Sequence, residues 1–262
     1  HVLYFDDFLG LFRAGISASS QLSVANVLRP HVERREIKVL AEMTPEAFRV
    51  LKELDRGWAD LFHVLPVEEP PKSDTWRILL QFQRDLEARH GTRFELDALP
   101  AALDLVRRYR REEAFPGKAA GFVAQLASKH RNAAVSRGEV LREFEARSGL
   151  SVTFLDERAN LPRKDIVDGL RRHVVGQDRA VESIANVISV AKARLNDPER
   201  PLGTFLFLGP TGTGKTQCAR ALAAWLYGDE NSLLRYDMNE FVDGHAVARL
   251  AGTMDEPEGL LT

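Results

Sequence analysis

Eight residues, Gly209-Pro210-Thr211-Gly212-Thr213-Gly214-Lys215-Thr216, constrain this chain more than any other stretch. They satisfy the pattern G-x-x-x-x-G-K-[ST] at every fixed position. Before them stands the apolar run Thr204-Phe205-Leu206-Phe207-Leu208, as expected of a buried parallel strand. After them Ala219, Leu222, Ala223 and Leu226 recur at helical spacing, and Gly228 is a suitable stop. Glycines let such a strand–loop–helix unit turn tightly, and its backbone N–H groups can then point at phosphate oxygens. Lys215 would reach the outer phosphates as a point charge, and Thr216 would hold a magnesium ion by its hydroxyl. The candidate nucleotide-binding set is therefore Gly209, Pro210, Thr211, Gly212, Thr213, Gly214, Lys215, Thr216 and the adjoining Gln217, with Thr216 as metal ligand.

Composition removes several classes of function. Thirty-six basic residues stand against 38 acidic ones, a net charge of −2, which gives no support to a nucleic-acid partner. One cysteine, Cys218, excludes a disulfide framework and a cysteine-rich zinc site, and it fits a reducing, cytoplasmic compartment. No apolar run approaches the roughly 20 residues of a membrane span. The chain starts at His1 within an apolar run, so it is expected to be a piece of a longer protein.

In chain order, Val2-Leu3-Tyr4-Phe5 is a strand candidate ending in Asp6-Asp7. In nucleotide-hydrolysing proteins such a strand carries one acid for the magnesium shell and one that activates water; the alternative is a plain strand end entering a turn. Residues 24–32 read as a helix, 37–41 as a strand, and 45–51 as a helix with Thr44 as N-cap and Pro45 in its first turn. Residues 62–67 read as a third strand, closed by Glu68-Glu69-Pro70-Pro71. Ser73-Asp74 then caps an amphipathic helix with Ile78, Leu79, Phe82 and Leu86 inward. Helical patterns continue over 96–109 and 118–130. A charged connector follows, with helix character at 136–148 and a β-like run at 151–155. A long helix after Gln177 carries Ala180, Ile184, Val187, Ile188 and Ala191 on one face. Beyond the phosphate loop, 233–237 reads as a strand ending in Asp237, which either assists the magnesium shell or caps the next turn, and 245–250 as a short helix.

Three stretches carry a resemblance. They are Val174-Val175-Gly176-Gln177 ahead of a helix, Arg200-Pro201-Leu202-Gly203 running into the phosphate loop, and Arg235-Tyr236-Asp237-Met238-Asn239-Glu240-Phe241. Together they resemble the start of the second ATPase module of Clp-type AAA+ unfoldases and disaggregases. The first half then resembles the end of the first module, through Asn26-Val27-Leu28-Arg29-Pro30, Val67-Glu68-Glu69-Pro70 and Phe115-Pro116-Gly117-Lys118-Ala119. The resemblance implies an α/β P-loop NTPase fold with an α-helical lid. Residues 1–70 would end the first large subdomain, 71–134 form the lid, 135–172 connect, and 173–262 begin the second nucleotide-binding core. It implies ATP and Mg²⁺ as cofactors, with Val174 and Val175 lining the adenine pocket. It also implies ATP hydrolysis driving the remodelling of a protein client in a homo-oligomeric, hexameric ring, by in-line attack of water on the γ-phosphate. The connector has no room for the long coiled-coil insertion of the disaggregase branch.

Four departures from the family pattern qualify it. Asp7 stands where the family has a catalytic Glu, beside Asp6 as the magnesium ligand; Met43 replaces a polar sensor; Asp60-Leu61 replaces a pair of arginines. An acid cannot stabilise the charge that an arginine finger would, so the first module reads as degenerate. Residues 253–259 lack the aromatic that grips a threaded chain, which leaves a nucleotide-bound ring scaffold without threading activity as the alternative function. The water-activating strand of the second module is expected beyond Thr262, so this chain alone is expected to bind ATP without turning it over.

Overall fold

The computed structural model describes residues 2–16, 22–111, 113–197, 200–242, 246–252 and 259–261. They form two compact units, 1–67 with 237–262 and 68–236.

In the first unit, β1 (Val2–Phe5) leads through α1 (Gly10–Arg13) and α2 (Val24–Glu33) to β2 (Lys38–Ala41). The strands pair in parallel, with Val2 opposite Lys38 and Phe5 opposite Ala41, as a helical crossover permits. Ser23 caps α2 by accepting the Asn26 N–H. Next come α3 (Pro45–Leu54) and α4 (Arg56–Leu61). Thr44 accepts the Ala47 N–H as the expected cap of α3, and Asp55 does the same for Trp58 at the head of α4. Phe8, Ala25, Leu51, Trp58 and Ala59 form the core, on which Phe5, Val39, Ala41 and Met43 pack. The Phe8 ring lies 5.0 Å from both Trp58 and Phe62, edge-on to each, the arrangement aromatic quadrupoles favour. Arg29 clamps α2 to the α3–α4 corner through both Asp55 oxygens, at 3.1 and 2.9 Å.

The second unit opens with α5 (Lys72–His90), the two-residue β3 (Arg93–Phe94), α6 (Ala98–Tyr109) and α7 (Gly117–Lys129). Then come β4 (Ala134–Val135), parallel to β3, and α8 (Arg137–Ser148). Ser136 and Glu139 close a capping box at the head of α8. α9 (Val152–Leu155), α10 (Arg163–Arg171), α11 (Asp178–Lys192) and α12 (Lys215–Tyr227) complete it. One hydrophobic cluster runs from Leu79 in α5 to Ala221 in α12. The stretch expected as a charged connector thus supplies Val140, Phe144, Phe154, Ile166 and Leu170 to that cluster. On α11 the buried face is Val181, Ile184, Ala185, Ile188 and Ala191. The last helix, α13 (Ala246–Ala251), belongs with the first unit.

Several expectations need correction. Residues 62–67, 204–208 and 233–237 form no strand. A strand exists by pairing, and among the described residues these runs have no ladder partner. Residues 205–208 still show the period of an extended chain. Phe205 and Phe207 lie on the main core, whereas Leu206 and Leu208 are 81% and 84% exposed. Residues 151–155 form α9 instead of a β-like run, because Ser151 caps a helical turn by accepting the Phe154 N–H. α5 begins at Lys72 behind Pro71 with no side-chain cap, so Ser73-Asp74 lie inside it, and Ile78 is half exposed. His245 and residues 253–258 lie outside the described residues, and so does the short aromatic-free loop read from the sequence.

Candidate functional site

The phosphate loop hangs between the extended run 205–208 and α12, and both ends are fixed. At the near end, Phe205 and Phe207 rest on the core with their rings 6.1 Å apart. At the far end, Cys218, Ala221 and Ala223 of α12 are buried. Trp225 lies over Gly169 of α10 and 6.3 Å from Phe154, and the Ser151 N–H donates to the Leu226 carbonyl. Burial pushes the Cys218 thiol up, which fits a packing residue and not a reactive one.

Between these anchors the loop is held open by backbone geometry. Gly212 and Gly214 have φ of +86° and +92°. Only glycine takes such values without strain. A Cβ built on either would meet no atom within 4 Å, so open space faces these glycines. Thr213 Oγ1 donates to the Pro210 carbonyl at 2.9 Å and closes the loop on itself. The first helical bond of α12 runs from Cys218 N to Gly214 O, and no side chain caps this end. The N–H groups of Lys215, Thr216 and Gln217 are therefore unspent by the helix, with the positive end of its dipole behind them. An anion with several oxygens suits such an end. The Thr216 side chain is exposed beside it. The loop residues thus fit a nucleotide phosphate chain with its magnesium ion.

Lys215 Nζ donates to the carbonyls of Gly209 and Pro210, at 2.7 and 2.6 Å. The ammonium lies folded over its own loop. Gln177, just before α11, donates from Nε2 to the Thr213 carbonyl at 3.0 Å. This contact across 36 residues brings the 174–177 segment to the loop. Of the two valines expected at the adenine, Val174 is buried in the core and Val175 is 90% exposed, so only Val175 offers its side chain outward. Sequence reasoning gave Gln177 no role, since a side chain reaching a carbonyl so far along the chain leaves no local pattern.

The acids expected at a second site belong to the first unit. Asp6 accepts the Asp7 N–H, and Asp7 accepts the Gly10 N–H at 3.0 Å, so both carboxylates are engaged in the turn between β1 and α1. Asp237 accepts the backbone and side-chain N–H groups of Asn239, which is the capping alternative. Among the described residues no cluster of three His, Cys, Asp or Glu could hold a metal, and no helix is long and apolar enough to cross a membrane.

A glycine-rich loop entering an uncapped helix, within a mostly helical unit, is the arrangement of an AAA+ type P-loop protein. The family described as AAA domain (Cdc48 subfamily) matches residues 200–259, and the AAA lid domain matches 71–164. The chain is similar to a ClpA homolog protein of Fuscovulum blasticum, 32% identical over 96% of this chain and 32% of that protein. It is also similar to the ATP-dependent Clp protease ATP-binding subunit ClpC of Staphylococcus epidermidis, 29% identical over 96% of this chain and 38% of that one. The ClpC alignment extends over 315 positions, so that relative carries residues this chain of 262 lacks. Among solved structures, a closed-state cryo-EM reconstruction of Hsp104 with ATPγS and FITC casein superposes with a TM-score of 0.72, at 28% identity over 97% of this chain and 45% of that one. The S. cerevisiae Hsp104–ADP complex gives 0.70, at 29% identity over 97% and 44%. The chain belongs to the Clp-type AAA+ proteins. It spans about a third of the length of these curated relatives.

Proposed function

We propose that residues 209–217 bind ATP with Mg²⁺, and that the longer protein hydrolyses ATP to remodel or unfold a protein client in a hexameric ring. The observation that carries the binding site is the pair of positive-φ glycines facing open space in front of an uncapped 13-residue helix. That geometry offers several backbone N–H donors to one polyanion. Lys215 would exchange its carbonyl partners for phosphate oxygens. The Thr216 hydroxyl would hold the magnesium ion, whose charge offsets that of the phosphates when bound. The exposed Val175 would contact the base. The client and ring readings draw support from relatives named as Clp protease ATP-binding subunits and from Hsp104 solved with casein.

The chain by itself is proposed to bind ATP without appreciable turnover. The hydrogen bonds that hold the loop come from Thr213, Lys215 and Gln177, and none involves a carboxylate. Asp7 spends an oxygen on the Gly10 N–H, which supports a structural role for it. Calorimetric titration with Mg-ATP tests the site. Lys215→Ala is expected to weaken binding by about ten- to a hundredfold, the loss of hydrogen bonds to a charged acceptor. Equal affinity in the variant would remove Lys215 from the site. Steady-state ATP turnover abolished by Lys215→Ala would overturn the binding-only reading.

A further inference from the structure

Gln177 reaches the loop from a rigid base. Its carbonyl accepts the N–H groups of both Ala180 and Val181, each at 3.1 Å, which seats it at the head of α11. α11 is packed into the main core through Val181, Ile184 and Ala185. The side chain is not used to cap that helix. It crosses to the Thr213 carbonyl instead. Gly176 before it has φ +78°, a turn that sets the residue facing the loop.

The acceptor is informative. The Thr213 carbonyl and the Gly214 N–H share one planar trans peptide, so they point to opposite sides. Whatever fixes the carbonyl fixes the N–H. Gly214 has no Cβ to restrict its own rotation, and Thr213 is bonded through its side chain to Pro210, not through this peptide. Among the described residues, Gln177 is the one side chain that holds the Thr213–Gly214 peptide.

We infer that Gln177 is a positioning residue for phosphate recognition: it pins the Thr213 carbonyl and so fixes the orientation of the Gly214 N–H at the open face of the loop. The inference rests on the nucleotide site proposed above and adds a specificity element to it. The Gly214 donor serves the outer part of the phosphate chain, next to Lys215. Loss of the tether therefore weakens a diphosphate more than a monophosphate bearing the same base. It also makes the segment carrying Val175 and the phosphate loop parts of one clamp, since Gln177 belongs to the first and holds the second.

The test is calorimetric titration of the whole chain with ADP and with AMP, in wild type, Gln177→Ala and Gln177→Met, with melting temperatures alongside. The Met variant keeps the length of the side chain, adds no charge and loses the N–H donor, so it stands in if the Ala variant folds poorly. ADP affinity is expected to fall about fivefold in both, the effect of one lost neutral hydrogen bond, with AMP affinity and melting temperature unchanged. ADP affinity equal to wild type in both variants overturns the tether. Equal losses for ADP and AMP also overturn it, because a general structural role would move both. A wild-type chain that binds neither ligand sinks the nucleotide site itself, and the tether with it. A wild type that binds ADP beside variants that also bind it normally sinks the tether alone.

Discussion

Gly214→Ala separates the shape of the loop from its occupancy. The backbone there has φ +92°, which strains an L side chain by about 1–2 kcal/mol. The new Cβ meets no atom within 4 Å, so packing adds nothing to that figure. For a unit of this size the expected fall in melting temperature is about 2–8 °C. A domain of ordinary stability stays folded at 25 °C after such a loss. The ligand meets a different situation. The methyl group occupies the space that the proposed site gives to phosphate, and at least one charge-assisted bond from the loop is lost, about 1.5–3 kcal/mol. ADP affinity should therefore fall by roughly ten- to a hundredfold while the chain remains folded. Thermal unfolding by circular dichroism and titration calorimetry at 25 °C read the two effects separately. A folded variant that binds ADP within about twofold of wild type would show that phosphate does not approach this face, and the reasoning from the glycines would be wrong.

Gly169→Ala should give the opposite pattern. Its Cβ would lie 2.8 Å from Trp225 Cδ1, so overpacking of about 1–3 kcal/mol exceeds the roughly 0.5–1 kcal/mol that alanine adds inside α10. Melting should fall by a few degrees with ADP affinity unchanged, and a rise in melting temperature would refute the packing. The Arg137–Asp156 pair, 2.8 Å apart, joins the head of α8 to the end of α9. Burial acts to raise the Asp156 carboxyl, but Arg137 and the Arg158 N–H outweigh it, so the group titrates below its usual 3.8. A depressed carboxyl contributes stability that is present above 3.8 and lost as pH falls through the lower folded value. Asp156→Asn should therefore lie about 1–2 kcal/mol below wild type in urea unfolding near neutral pH, with the gap closing once pH drops under 3.8. A gap as wide in strong acid as at neutrality would refute the assignment.

The loop could be read from the sequence because each fixed residue answers a local demand. Gly212 and Gly214 take positive φ, and Lys215 starts a helix whose first N–H groups are orphaned. Helix starts were legible for the same reason at Thr44, where a hydroxyl caps the third N–H, but not at Lys72, where no side chain caps the helix. Strands were less legible. The apolar run 204–208 has a strand's composition and its alternation, yet pairing depends on what lies beside it, which composition does not encode. Asp7 and Asp237 were ambiguous in the sequence because a carboxylate that caps a turn and one that binds magnesium look alike there. In the structure Asp7 accepts the Gly10 N–H and Asp237 the Asn239 N–H, the contacts a turn cap makes. Gln177 lay in a recognised stretch, but its partner is a backbone carbonyl, which has no residue type to read.

The resting position of Lys215 sets the thermodynamics of anything that enters the loop. Its ammonium already holds the carbonyls of Gly209 and Pro210, so binding an anion is an exchange of acceptors and not the pairing of a solvated charge. The number of hydrogen bonds on the nitrogen can stay constant through that exchange. What changes is the charge of the acceptor, worth about 1 kcal/mol per bond between neutral and ionised partners. An anion that presents several charged oxygens to Lys215 and the helix end at once collects that gain at more than one bond, so it gains more from the exchange than a monoanion that reaches the lysine through a single oxygen.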